Sequence, residues 1–382
     1  MIIIKVCHMT TVHKRYDGRI LKKECVSLAN AGYDVTLLVA DNLPDENFKN
    51  VKISSIDFSP KNRLDRILNS KKQMLKKALL INADVYHFHD PELIPVGLSL
   101  KKKNKKVIYD SHEDYREDIK DKFWIPYIIR LPMSAIFSIY ENYAFKKFDC
   151  VISVTPHIVN KFKKYNKNTF QITNYPIFVD IDNLIKNNEF KNKNVCFTGL
   201  MSPIWMHENI IKAINNLKNI KYITAGPTEG DYLNILKNND PNSCLKYKGI
   251  VPQEKVFEIF KNSCSGIALL NYSRATGFKT GTIGNTKLFE YMMAGLPVIC
   301  TDFVLWKEII DKWACGICVS PYDIHAIADA IDFIINDPEK AKAMGDNGQK
   351  AVYEEYNWST QETILLSIYQ KISSGILNSD VQ

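Results

Sequence analysis

The sequence predicts an α/β protein made of two successive doubly wound units, each a mostly parallel sheet flanked by helices. Three observations lead there. Short apolar runs of strand length alternate with stretches of helical periodicity. The alternation stops at a polar segment rich in Asn and Lys, NLIKNNEFKNKN at 183–194, and then restarts. The length of 382 residues exceeds one ordinary core and suits two domains of roughly 150–200 residues each. The expected division is a first domain at 1–182, a linker at 183–194, a second domain at 195–357, and a C-terminal helix within 358–382 that crosses back to the first domain.

Taken in order, Ile2 to Cys7 is a short apolar strand, and Leu21, Cys25, Leu28 and Ala29 then fall on one helical face. Gly32 supplies a helix stop, and Tyr33 to Ala40 is the next strand. A strand, helix and strand in this order imply parallel pairing through a right-handed crossover. Val85 to Phe88, Val107 to Tyr109 and Cys150 to Val154 continue the pattern. Beyond the break, Val195 to Thr198, Tyr222 to Ala225, Ile267 to Leu270 and Val298 to Cys300 are strand-like. Sheets of this kind bind ligands at the carboxyl ends of their strands, so two facing units imply an interdomain cleft, and residues just after strands carry the most weight.

Hydrophobic residues at 46% and charged residues at 24% exclude a disordered chain. Nine scattered cysteines and a start, MIIIKVCHMTTVHKRYDGR, with too short an apolar run for a signal peptide point to reduced thiols and a cytoplasmic location. No stretch of about 20 uninterrupted apolar residues occurs, so no membrane span is expected. The net charge is +8, with lysines spread along the chain. That spread reads as a diffusely charged surface or as attraction to an anionic membrane, and it excludes a concentrated nucleic-acid groove.

The richest segment is GFKTGTIGNTKLFEYMMAGLPVICTD at 277–302. A Gly-rich loop leads into a helix expected from about Ile283 to Ala294, and Gly281 and Gly284 let the backbone approach a ligand closely. The free N–H groups of a helix start favour a phosphate. Lys287, in the first turn, is placed to neutralise a diphosphate. Glu290 stands roughly 8–10 Å along the helix from the loop, the reach of a carboxylate that accepts two ribose hydroxyls. The plain alternative is an exposed i, i+3 Lys–Glu pair. The joint occurrence of the Gly-rich entry and the Gly-Leu-Pro exit favours the ligand.

NTKLFEYMMAGLPVICTDF resembles the nucleotide-sugar signature of the retaining glycosyltransferases of family 4, which have the GT-B fold. The likeness continues through DGRILKKECVSLANAGYDVTLL, VYHFHDPELIPVGL, KKVIYDSHEDY, NYP at 174–176, CGICVSPYDIHAIADAI at 315–331 and YNW at 356–358, in the order found in bacterial polysaccharide members. The resemblance implies that Glu290 contacts the nucleotide ribose and Lys287 the donor diphosphate. Gly284, Asn285, Thr286 and Leu288 of the same run, and Gly199 after the first strand of the second domain, belong to the donor site. Two departures stand out. Thr282 occupies the place of the first of two paired glutamates. The loop GLMSPIWMHEN at 199–209 lacks the Arg and Lys that clamp the diphosphate in many members, His207 being its one candidate. Leaving-group stabilisation then rests on Lys287, loop amides, and Arg274 or Lys279.

In the first domain, the resemblance carries the loop with Gly18 and Arg19 toward the donor diphosphate and the acceptor; Gly18 is expected as a donor-binding residue for its backbone, and Arg19 is open between an acceptor-side and a structural role with Glu24. His112 is similar to the family histidine that contacts the donor sugar near the reacting carbon, and with Lys287 it is the expected catalytic residue. His89 is expected as an acceptor-side or structural group, and Asp90 and Glu113 on the acceptor side. HFHD at 87–90 also has the pattern of a metal site, because residues two apart on a strand share a face. The sequence offers it no distinct further ligand set, and the transferases resembled need no metal, so neither metal nor cofactor is expected beyond the nucleotide-sugar co-substrate. Cys315 with Cys318 and Asp180 with Asp182 read as chance spacings.

The chemistry the resemblance implies is transfer of a hexosyl or N-acetylhexosaminyl group, with retention, from a UDP-sugar to a saccharide acceptor in capsule, O-antigen or exopolysaccharide synthesis. The segment KFWIPYIIRLPMSAIFSIYENYAFKKF at 122–148 is either a buried helix pair or a membrane-facing element that reaches a polyprenyl-diphosphate-linked acceptor at the inner face of the plasma membrane. A nucleotide-sugar epimerase and a non-catalytic binding subunit remain as alternatives.

Overall fold

The computed structural model describes residues 3–58, 61–122, 124–178, 193–274 and 276–375. Asp180, Asp182 and residues 183–192 of the expected linker lie outside the described residues. The chain divides into two compact units, residues 1–174 with 359–382, and residues 175–358. The first boundary falls before Tyr175 because its ring packs on Phe289 and Tyr356 of the second unit, with centroids 4.7 and 5.5 Å away.

The first unit holds strands β1 (Lys5–Met9), β2 (Asp34–Val39), β3 (Glu46–Phe48), β4 (Val51–Ser55), β5 (Val85–Phe88), β6 (Lys106–Ser111), β7 (Cys150–Ser153) and β8 (Thr169–Gln171). Their order in the sheet is β3-β4-β2-β1-β5-β6-β7-β8. Every pairing is parallel except β3 with β4. The chain starts at β1, runs out to one side, and returns to β5 on the other, so the topological switch lies between β1 and β5. One face is filled by aromatics, with Phe88 stacked on Tyr109 at 4.8 Å and Phe145 edge-on to Phe162 at 4.7 Å. The helix Trp358–Ser373 belongs to this unit from Ser359 onward.

The second unit holds β9 (Asn194–Thr198), β10 (Lys221–Ala225), β11 (Leu245–Tyr247), β12 (Ser265–Ala268), β13 (Val298–Thr301) and β14 (Gly316–Val319), ordered β11-β10-β9-β12-β13-β14 and parallel throughout. Its switch lies between β9 and β12. The strands anticipated from sequence are present with shifted ends. β1 extends to Met9 instead of stopping at Cys7, because His8 is fully buried with both ring nitrogens hydrogen-bonded and behaves as core. The sequence pattern missed β3, β4, β8, β11 and β14, which are three to five residues long and carry too few alternating apolar positions to show a period.

Candidate functional site

In the second unit the site is built where β9 ends. Gly266 on β12 has no room for a side chain: a Cβ there would lie 2.2 Å from the Tyr291 ring. The helix Lys287–Met293 therefore lies close on the sheet, burying Leu288, Phe289, Tyr291 and Met292. The Tyr291 hydroxyl accepts the N–H of Thr198 at 3.1 Å, which ties the helix to the last residue of β9. Gly199 follows, and a Cβ on it would lie 2.8 Å from Lys287 Cε, so the lysine side chain passes directly over the glycine. Lys287 Nζ meets Glu290 Oε2 at 2.7 Å, and Thr286 Oγ1 donates to Glu290 Oε1 at 2.8 Å. The pair is partly buried, with side chains 19% and 27% exposed.

The helix starts at Lys287 instead of near Ile283, because Asn285 Oδ1 accepts the Lys287 N–H at 2.9 Å and Thr282 Oγ1 accepts the Gly284 N–H at 3.1 Å, holding this stretch in turns. Glu290 is consequently about 4.5 Å along the axis from the first helical residue, closer to the loop than the sequence implied. The Thr282 carbonyl accepts from Trp306 Nε1 at 2.7 Å. Gly281, at φ +81°, is required by Phe303, whose Cβ would stand 2.4 Å from an added Cβ. Its glycine thus serves packing.

In the first unit, the carboxyl ends of β1, β5 and β6 bring together His89, Asp90, Asp110 and His112 with the loop that follows β1. Asp90 is buried and accepts from Thr10 Oγ1 at 2.9 Å and from the Thr11 N–H at 2.6 Å, which fixes that loop. Asp17 Oδ1 accepts the N–H groups of Arg19 and Ile20 at 2.8 Å each and opens a π-helical turn at Ile20–Cys25. In that wider turn the Glu24 N–H reaches the Arg19 carbonyl at 3.0 Å, and the two side chains come into contact. The Arg19 guanidinium is buried, with Nη2 2.7 Å from Asp110 Oδ2, Nη1 2.8 Å from the Ile172 carbonyl and Nε 3.0 Å from Glu24 Oε1. Burial pushes the Glu24 carboxyl well above the usual carboxylate range against the pull of Arg19. Burial would raise Asp110 too, but Arg19 and His112 hold it well below that range.

A column of imidazoles stands behind His112. His112 Nε2 is 3.2 Å from His89 Nδ1, His89 Nε2 is 3.0 Å from His8 Nδ1, and His8 Nε2 is 3.2 Å from the Tyr369 hydroxyl, which also meets His87 Nδ1 at 3.0 Å. Burial drives His8 and His87 well below the ordinary histidine range and His89 down to about 4, so these three rings are neutral. His112 alone of the four keeps part of its side chain, 15%, exposed.

Family comparison covers both units. Residues 18–182 match the model described as Glycosyltransferase Family 4, and residues 180–351 match the one described as Glycosyl transferases group 1. The chain is a GT4-type glycosyltransferase of the GT-B fold. An uncharacterized glycosyltransferase of Methanocaldococcus jannaschii is 24% identical over 98% of this chain and 100% of its own length. Among solved structures, sucrose-phosphate synthase from Thermosynechococcus elongatus superposes with a TM-score of 0.76 at 16% identity, covering 97% of this chain and 100% of that one. A trehalose-6-phosphate structure from E. coli bound with UDP-2-fluoro glucose gives 0.67 at 12% identity, over 95% and 98%. At these identities the solved structures speak to the fold alone.

Several residues of the transferase stand differently from their sequence expectation. Asp90 is buried with its carboxylate taken up inside the protein, so it supports the site from behind instead of facing an acceptor, while Arg19 and His89, also buried, take the structural one of their two expected roles, Arg19 beside Glu24. Glu113 is exposed after β6. Gly18 has neither a left-handed backbone nor, among the described residues, an atom within 4 Å of an added Cβ, so no backbone reason for it exists. His207 is fully buried against the Tyr222 hydroxyl at 2.7 Å and pushed down to about 3 by burial, which removes it as a diphosphate clamp. Leu288 is core, and only its backbone can meet a ligand. Arg274 stacks on Phe278 at 5.4 Å and Lys279 on Tyr272 at 5.6 Å, both on the exposed side of the Gly-rich loop. Cys318 faces Cys300 on β13, at 3.7 Å, instead of Cys315.

Residues the sequence did not single out are His8, Asp110, Tyr291 and Tyr369. Tyr291 lies inside the signature run and Asp110 inside KKVIYDSHEDY; nothing local marks His8 or Tyr369.

The segment at 122–148 folds mainly as one helix, Tyr127–Phe145, that includes Pro132. It is not the buried pair that was one of its two readings. Ser134, Glu141, Ala144 and Phe145 turn inward, while Ile128, Leu131, Ile136 and Ile139 are 86, 63, 69 and 71% exposed. Lys146 and Lys147 lie exposed at its end. Among the described residues no helix is long and apolar enough to cross a membrane.

Proposed function

We propose that this transferase moves a hexosyl or N-acetylhexosaminyl group, with retention, from a UDP-sugar to a lipid-linked saccharide during bacterial surface-polysaccharide assembly. The observation that carries the donor half is the partly buried Lys287–Glu290 pair held over Gly199 at the end of β9. Lys287 meets the diphosphate, and Glu290 exchanges its lysine partner for the ribose hydroxyls. His112 contacts the sugar near its anomeric carbon. The acceptor hydroxyl attacks on the face the diphosphate leaves, the bond from anomeric carbon to phosphate oxygen breaks, and that oxygen takes the acceptor's proton. Positioning and charge supply the rate, with no enzyme nucleophile and no metal at the diphosphate. The uridine preference rests on the sequence resemblance.

The acceptor half is supported by the exposed apolar face of the helix Tyr127–Phe145 and by the net charge of +8, which suit a peripheral position on an anionic cytoplasmic leaflet. A panel of nucleotide sugars and polyprenyl-diphosphate acceptors tests the reading: nucleoside diphosphate release that requires acceptor supports it. Tight nucleotide binding without turnover would favour a non-catalytic subunit, the reading that the neutral, buried His207 keeps alive.

A further inference from the structure

The sequence pairs His87 with His89 and leaves them without further ligands; the fold brings two more. His8 is the register partner of His87 across β1 and β5, and the π-helical turn carries Glu24 into the same space. One donor atom from each of His8, Glu24, His87 and His89 lies within 4.8 Å of all the others, and the four side chains are fully buried. We propose that these residues bind one divalent transition-metal ion, zinc(II) first, which clamps β1, β5 and the turn together behind His112. The site is structural: its burial keeps substrate away from it.

Geometry is the first support. His8 Nδ1, His89 Nε2 and Glu24 Oε2 form a triangle with sides of 3.0, 3.9 and 3.9 Å. The circle through its corners has a radius of about 2.1 Å, the length of a zinc bond to imidazole nitrogen or carboxylate oxygen. An ion at that centre replaces the proton that the two imidazoles share, and each imidazole stays neutral with its N–H on the outer nitrogen.

The surrounding shell is the second. Histidines that ligate a metal give their other N–H to a carboxylate, carbonyl or hydroxyl, which fixes the ring. Here His8 Nε2 and His87 Nδ1 both meet the Tyr369 hydroxyl, at 3.2 and 3.0 Å, and His89 Nδ1 faces Asp110 Oδ2 at 3.5 Å. Arg19 Nε stands 3.0 Å from the other Glu24 oxygen. The third is what the protein leaves unsatisfied. Among the described residues, Glu24 Oε2 and His87 Nε2 are buried and receive no hydrogen bond. Two such atoms among four ligand-type side chains call for a ligand. Three imidazoles and one carboxylate suit zinc, cobalt or iron in the divalent state better than magnesium or calcium.

The test uses the untagged full-length chain produced in zinc-supplemented medium. Elemental analysis after exhaustive dialysis is expected to find close to one zinc per chain. Unfolding and refolding with cobalt(II) is expected to give visible ligand-field absorption that zinc abolishes. His8→Gln and His89→Gln are each expected to lose the metal and the cobalt bands, while His325→Gln, at an exposed position in the other unit, retains both. Metal-free wild-type protein with no cobalt absorption would overturn the proposal and leave a proton-sharing histidine column. Metal retained in folded His8→Gln would overturn it equally.

Discussion

Lys287→Ala separates the proposed chemistry from the fold. Among the described residues the lysine makes one ion pair, with Glu290 at 2.7 Å, and both side chains keep solvent contact, at 19% and 27% exposure. Such a pair contributes about 0–1 kcal/mol to stability, and Glu290 keeps its hydrogen bond from Thr286. Melting should therefore fall by no more than about 2–4 °C for a unit of this size. The charge lost at a developing diphosphate is worth far more. Removing one aimed electrostatic group costs about 2.7–4 kcal/mol of transition-state stabilisation, a fall in kcat/KM of at least about 100-fold. UDP binding by titration calorimetry should weaken in parallel, which gives a readout free of the acceptor's identity. Wild-type UDP affinity in folded Lys287→Ala protein would refute the placement of the diphosphate. A loss explained by unfolding would refute the separation of site from fold.

Three further outcomes test other parts. Tyr291→Phe leaves the buried Thr198 N–H without its acceptor and should lower stability by about 1–3 kcal/mol in urea denaturation, with weaker UDP binding as Gly199 loosens; unchanged values would show that the helix is held without that bond. Arg19→Met strands the buried Asp110 carboxylate and should cost about 3–5 kcal/mol of stability, whereas a stable variant with a raised acceptor KM would restore Arg19 to the acceptor side. Ile128→Glu with Ile139→Glu removes two exposed apolar side chains and should weaken co-sedimentation with anionic vesicles at least about tenfold, given about 1.5–3 kcal/mol for burying each. Equal binding of wild type to neutral vesicles, or no change in the double variant, would count against a membrane face.

The donor half of the candidate site can be proposed from sequence because its parts lie within one short run of chain. Gly-rich entry, Lys287, Glu290 and the Gly295 exit are separated by helical spacing, so local sequence sets their order and approximate separation. The helix start was misplaced because Asn285 and Thr282 side chains compete for the backbone N–H groups there. The acceptor-side residues were legible as polar groups after strands, but their orientation was not. Asp90 reads as acceptor-side chemistry and is an internal fastener, and Arg19, open between the two roles in sequence, is one as well, because burial depends on which distant loops close over them.

Periodicity and neighbours a few residues apart were enough for the alternation of strands and helices and its division into two doubly wound units. Only the tertiary structure decided the neutral burial of His207, the passage of Lys287 over Gly199, and the convergence of His8, Glu24, His87 and His89 with Tyr369. Those contacts join residues up to hundreds of positions apart. Sheet order and crossover set them, and no local pattern carries that information.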